Sequence, residues 1–199
     1  MSRRAEPGRK AELLEQILDY LVDKPLSRLT FRTVAAALGV STFTLVYQFG
    51  NRAGLVAAIV KQVTSRQEEI EKRLIVGAGS LHNYYENLET SWNWTLDPRN
   101  RQLQRLEFEA AMLGVLDPEV GAFSKALYET WLRVGTESLV AFGLDTKEAA
   151  TQARIAVDTF YGLQYDLLVN GREEETTNSF RTFVKEHRER VEGLVGDLV

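Results

Sequence analysis

Leu29-Thr30-Phe31-Arg32-Thr33-Val34-Ala35-Ala36-Ala37-Leu38-Gly39-Val40-Ser41 runs directly into Thr42-Phe43-Thr44-Leu45-Val46-Tyr47-Gln48-Phe49-Gly50-Asn51-Arg52. Phe31, Val34, Ala35 and Leu38 repeat at i, i+3, i+4 and i+7, so a short helix with one apolar face is expected there. Thr30 brings a hydroxyl to the free N–H groups that open such a helix, and Gly39 stands where a left-handed residue closes it. Ser41 opens a second short helix, Thr42 to Phe49, on which Leu45 and Phe49 face inward with Val40 while Thr42, Thr44 and Gln48 stay outside. Ser41 also leaves N–H donors at a helix start that suit a phosphate. Two short helices joined by Gly39-Val40-Ser41, the second with polar N-terminal side chains outward, match a helix-turn-helix whose second helix enters the DNA major groove. A purely structural αα corner has the same periodicity, and on the pattern alone both readings stand.

Outward from this stretch the chain keeps a 3.6-residue period and shows no alternating run with hairpin turn chemistry, which predicts an all-α fold. A first helix from about Arg9 to Asp23 carries Leu14, Ile17, Leu18 and Leu21 on one stripe and stops before Pro25. Asn51 caps a fourth helix with Leu55, Val56, Ile59, Val60 and Val63 inward; its later part, Arg66 to Arg73, is highly charged and leads out of the head. Val76-Gly77-Ala78-Gly79-Ser80 breaks the pattern as an interhelical linker, since it follows no strand and lacks a Gly-Lys-Ser/Thr ending. Five more helices are expected. They are marked by Leu81 to Trp92, Leu103 to Leu113, Phe123 to Phe142, a segment opened by an Asp145/Glu148 capping box and stopped by Asn170-Gly171, and Glu173 to Val195. About nine helices result, divided into an N-terminal three-helix head over 1–62 and a helical body over 63–199.

Composition narrows the chemistry. The 199 residues include no Cys and only two His, His82 and His187, which leaves no thiol nucleophile, thiolate zinc site or disulfide and predicts no metal site. No Ser follows a nucleophile elbow, so neither enzyme activity nor a cofactor is expected. The net charge of −4 is unevenly spread: residues 1–61 carry 9 basic and 5 acidic side chains, and the rest 15 and 23. A basic head on an acidic body suits nucleic acid at one end only. Arg3, Arg4, Arg9 and Lys10 form a basic arm that would follow phosphates or remain a solvated tail. No apolar run of membrane-spanning length occurs, and a soluble cytoplasmic protein is expected.

The stretch from Leu29 to Ser41, followed by Leu45, Phe49, Gly50-Asn51-Arg52 and Leu55, resembles the TetR-type one-component transcriptional regulators over about 50 residues. The length and all-helical remainder resemble them too. The resemblance implies double-stranded DNA as partner, a near-palindromic operator, a small-molecule effector and a homodimer paired through the last two helices. It places Thr30, Arg32 and Arg52 at positions that commonly touch phosphates and Thr42, Phe43 and Thr44 at positions that face bases; Thr33, Ser41 and Gln48 lie among them. The usual aromatic after Leu45 is Val46 here, followed by Tyr47, and the usual His before Phe49 is Gln48. Tyr47 would then donate to phosphate from a position shifted by one, or else pack. Phe43 would meet a thymine methyl, or fold back on the head's core. Repression is the expected sign of regulation. The competing reading is a helical ligand-binding or enzyme-like protein.

Large aromatics crowd the body, and a pocket for the effector is expected among Trp92, Phe108, Met112, Trp131, Tyr161, Gln164 and Tyr165, with Asp158 and Glu109 as further polar candidates. Each aromatic has packing in the core or a dimer interface as its alternative. Ala149, Ala153, Ala156 and Gly162 line one side of a helix where small residues permit close approach of a dimer mate. His187, on the apolar stripe of the last helix, is expected as a hydrogen-bonded interface histidine.

Overall fold

Eight-residue helices do not hold themselves together in water, so the ends of the two in the decisive stretch have to be secured by side chains. In the computed structural model they are. Helix α2 (Phe31–Leu38) begins at Thr30, whose Oγ1 accepts from the Thr33 N–H at 3.1 Å, while the Thr30 N–H donates to Thr33 Oγ1 at 3.2 Å. This is a capping box with threonine in place of the usual glutamate. Gly39 closes the helix at φ 66°, and the Val40 N–H reaches back to the Ala35 carbonyl. Helix α3 (Thr42–Phe49) opens at Ser41, whose Oγ accepts from the Thr44 N–H at 3.0 Å.

The structure describes residues 8–63 and 80–196, and among them nine α-helices and no strand occur. They are α1 (Arg9–Leu21), α2, α3, α4 over 52–63, α5 (Leu81–Leu96), α6 (Pro98–Gly114), α7 (Pro118–Phe142), α8 (Thr146–Asn170) and α9 (Glu173–Gly196), with a 3-10 turn at Leu26–Arg28. Arg3 and Arg4 of the basic arm, the charged run 66–73 and the Gly77-Ala78-Gly79 break lie outside the described residues. The all-α expectation holds. Pro98 and Pro118, read as stops, are the first residues of α6 and α7, where a missing N–H costs nothing. At α8 the capping box is half formed: Asp145 accepts from the Lys147 and Glu148 N–H groups, but the Glu148 carboxylate takes the Gln152 amide instead.

The described residues divide into two compact units, one of 8–63 with 102–126 and the other of 80–101 with 127–196. In the first, Leu13, Ile17, Leu21, Leu26, Leu29, Val34, Leu45, Leu55 and Ile59 are almost wholly buried. α6 grips the end of α1: Arg105 Nη2 donates to the carbonyls of Leu21 at 2.8 Å and Lys24 at 3.2 Å, and its partner Glu109 accepts from the Leu26 N–H. The pair so satisfies backbone groups that the end of one helix and the start of the next leave open. α6 and α7 meet at two glycines. A Cβ on Gly121 would stand 2.5 Å from Gly114 Cα, so only hydrogen fits at that crossing.

In the second unit α5, α8 and α9 pack on one another around Trp92, whose ring stacks on Phe180 at 4.8 Å with Phe160 edge-on to both. Ala149, Ala153 and Ala156 are fully buried within this unit, and Ala153 lies beneath Gly135 of α7, where an added Cβ would approach its own at 3.2 Å. The alanine stripe therefore serves close packing inside the chain and is not a free face for a second copy. Gly162 alone of the four has open space before it.

Replacing Gly121 by Ala should lower the stability of the chain by about 1–3 kcal/mol, because the methyl meets backbone that cannot swing aside. Replacing Gly114 by Ala should cost a similar amount, and the double substitution less than the two losses added, since both act on one contact. Urea unfolding of the three variants measures this.

Candidate nucleic-acid interface and ligand cavity

The outward side of α3 is not required by the fold. Leu45 and Phe49 are buried, whereas Phe43 is 76% exposed, Tyr47 62% and Val46 45%, with Thr42 also in solvent. Both packing alternatives fail here. Phe43 does not fold back on the core and Tyr47 is not a packing tyrosine. Thr44 is half-buried, and its hydroxyl lies 2.8 Å from Ser41 Oγ, so it is engaged in the cap that opens α3. Gln48 is half-buried; Thr30, Arg32, Thr33 and Ser41 are exposed. The Thr30 and Thr33 hydroxyls are turned on each other at 3.1 Å.

Arg52 is used differently from the expectation. Its guanidinium donates to the Leu29 carbonyl at 3.3 Å and the Leu26 carbonyl at 3.5 Å, so it ties α4 to the loop before α2. Gly54 completes the same corner, because its N–H takes the Asn51 cap at 2.8 Å and an added Cβ would stand 2.3 Å from the Phe49 carbonyl oxygen. Lys10 of α1 lies over the Phe49 ring at 5.5 Å. Arg28 and Arg32, by contrast, are exposed at the start of α2.

A cavity of about 70 Å³ lies in the second unit between α5, α7 and α8. Of the residues expected there, Trp131, Tyr161 and Gln164 line it. Trp92 does not, because its ring is spent on Phe180 and its Nε1–H donates to Thr177 Oγ1 at 3.2 Å. Tyr165, one residue past Gln164, points to solvent at 57% exposure. Phe108 and Met112 belong to the first unit, Met112 being 66% exposed. Glu109 is held in the clamp with Arg105, and Asp158 accepts from the Tyr128 hydroxyl on an exposed face. Tyr84, one of the body aromatics, also lines the cavity, together with Asn87, Leu88 and Ser91, which the sequence did not single out for it. The signal is in the spacing: 84, 87, 88 and 91 fall at i, i+3, i+4 and i+7, which puts the polar Asn87 and Ser91 on the same helical face as Tyr84 and Leu88.

His187 lies inside the second unit rather than at an interface. Its Nε2 is 3.1 Å from the Gln152 carbonyl, which only accepts, so Nε2 carries the proton and Nδ1 accepts from the Tyr85 hydroxyl at 2.6 Å. Burial pushes the His187 pKa below its ordinary value, and the hydrogen bond to Gln152 opposes this only in part. Burial also raises the Tyr85 pKa, so both groups are neutral and matched.

No family model and no curated protein matches the sequence. Solved structures do match the fold. A TetR transcriptional regulator from Legionella pneumophila superposes with a TM-score of 0.66 at 14% identity, covering 96% of this chain and 99% of its own. Salmonella enterica GusR gives 0.66 at 18% identity, with 98% and 100% covered. NalD, the secondary repressor of the MexAB-OprM multidrug efflux pump in Pseudomonas aeruginosa, gives 0.63 at 18%, with 94% and 95% covered.

Two measurements check these assignments. Since folded His187 binds a proton less readily than unfolded, its contribution to stability is complete above about pH 6.5 and is lost as pH falls below that value. The unfolding midpoint should fall between pH 7.5 and 5.5, and His187→Gln should flatten the fall; an equally steep fall in the variant contradicts the assignment. Arg52→Ala should lower stability by about 1 kcal/mol, since two backbone carbonyls lose a charged donor at a partly exposed site. Measured in the absence of DNA, an unchanged melting temperature tells against that role. Taken with the capped α2–α3 corner and the helical second unit, these superpositions over nearly the whole length show that the chain has the fold of TetR-type regulators.

Proposed function

We propose that this chain is a ligand-responsive, sequence-specific DNA-binding transcriptional regulator, a repressor that a small molecule releases from a near-palindromic operator. The observation that carries the reading is the outward face of α3. Phe43, Val46 and Tyr47 stand in solvent on a helix whose other side is fully used, and exposed aromatics that folding does not need mark a contact surface. On this reading residues 1–62 form the DNA-binding head, with Thr42 and Phe43 at base edges, Thr44 and Gln48 beside them, and Tyr47, Arg32, Thr30, Thr33 and Ser41 at phosphates. Arg52 acts mainly by holding the corner.

Residues 63–199 form the effector-binding and dimerisation part. Ile155 and Val169, exposed on α8 with Gly162 between them, supply an apolar stripe for pairing through α8 and α9. Two heads then meet half-sites one helical turn apart, about 34 Å. An effector in the cavity lined by Trp131, Tyr161 and Gln164 binds one head spacing better than the other and so depletes the DNA-competent population.

A mobility-shift titration of the full chain against DNA upstream of its own gene tests the reading. Retention of the operator in excess unrelated duplex, with affinity falling steeply from about 50 to 200 mM salt, is expected for a protein held by phosphate contacts. Phe43→Ala should relax preference at one operator position by about 1–3 kcal/mol. Tyr47→Phe should instead weaken all sequences alike. Absent or salt-insensitive binding removes the reading and leaves a helical ligand-binding protein with a structural corner.

A further inference from the structure

The cavity's chemistry is more specific than its size. Its walls bring the aromatic rings of Tyr84, Trp131, Phe160 and Tyr161 together with the carboxamides of Asn87 and Gln164, and no residue lining it is charged. Arg154 and Asp158 of α8 are exposed and pair with each other at 3.8 Å and with Tyr128. Burial pushes the Tyr84 pKa up, so its hydroxyl is un-ionised. Both carboxamides are more than nine-tenths buried, and the Gln164 Nε2 has no hydrogen-bond partner among the described residues. Leaving such a donor unpaired costs more than a typical hydrogen bond returns, so a native chain that retains it has a use for it.

We propose that this cavity takes an uncharged molecule of about one aromatic ring that carries a carbonyl-type acceptor, received by the Gln164 amide. Aromatic walls favour a flat apolar body. A buried ion would have no counter-charge here, and its desolvation would outweigh any contact the neutral walls return. At about 70 Å³ the cavity is smaller than the roughly 150 Å³ hollow that admits benzene, so a single ring with a short substituent enters only as the side chains lining it move aside. The proposal deepens the effector reading above and rests on it for its regulatory meaning, while the binding it describes is measurable without DNA.

The test titrates the full chain with four probes of one shape: acetophenone, its hydrocarbon isostere α-methylstyrene, and the charged analogues benzoate and benzylammonium. Tryptophan fluorescence and calorimetry read the binding. Acetophenone should bind about tenfold tighter than α-methylstyrene, the worth of one neutral hydrogen bond, and at least about tenfold tighter than either ion. Gln164→Leu should abolish the preference over α-methylstyrene. The empty variant should melt no lower than the parent, because it loses an unpaired buried amide. Equal binding of acetophenone and its isostere, binding of an ion as tight as the ketone, or no binding up to millimolar concentration each overturns the proposal. Operator release is measured separately: acetophenone that binds yet leaves the operator occupied refutes the regulatory reading and spares the ligand class.

Discussion

Two helices of eight residues cannot bury enough or bond enough to persist alone, and the α2–α3 corner exists because its ends are closed by specific side chains. The Thr30–Thr33 box, the Ser41 cap and the left-handed Gly39 satisfy backbone groups that would otherwise be open, and Arg52 fastens α4 to the loop beneath. Each cap is worth about 1 kcal/mol. With the ends secured and Leu45 and Phe49 buried, Phe43, Val46 and Tyr47 on the other side of α3 carry no structural duty. These side chains are free to be chosen for a partner, which is how a corner this small acquires Phe43 and Tyr47 in solvent.

The second unit shows the opposite use of buried polarity. His187, Tyr85 and Gln152 complete one another, so three polar groups are buried at little cost and fix the packing of α5, α8 and α9. Gln164, one helical face away on α8, is as deeply buried but left unpaired beside a cavity. Neutral groups in one core thus fall into a finished network and an unfinished one. Only the unfinished one has anything to offer a ligand.

The α2–α3 corner was legible in the sequence because periodicity, caps and a closing glycine fall within two dozen residues and act locally. The body was legible as helices, since Asp97-Pro98, Asp117-Pro118, Gly143 and Gly171 punctuate it, although both prolines open helices rather than end them. What the sequence did not reveal is which face meets which. Trp92 and Trp131 have similar surroundings along the chain, yet one stacks on Phe180 and the other lines a cavity, a choice made by α9 and α8 arriving from far along the sequence. The packing roles of Arg52 and of the α8 alanines escape the sequence for the same reason. Their partners, the carbonyls of Leu26 and Leu29 and the glycine of α7, are tertiary and leave no local mark.

The claim that the free face of α3 reads DNA is tested most directly by selecting binding sites for the full chain from a random duplex library. An inverted repeat whose half-sites lie about one helical turn apart should be enriched, and consensus should be lost at a symmetry-related pair of positions when Phe43→Ala is put through the same selection. Enrichment of no sequence, or the same consensus from the variant at every position, would contradict that claim.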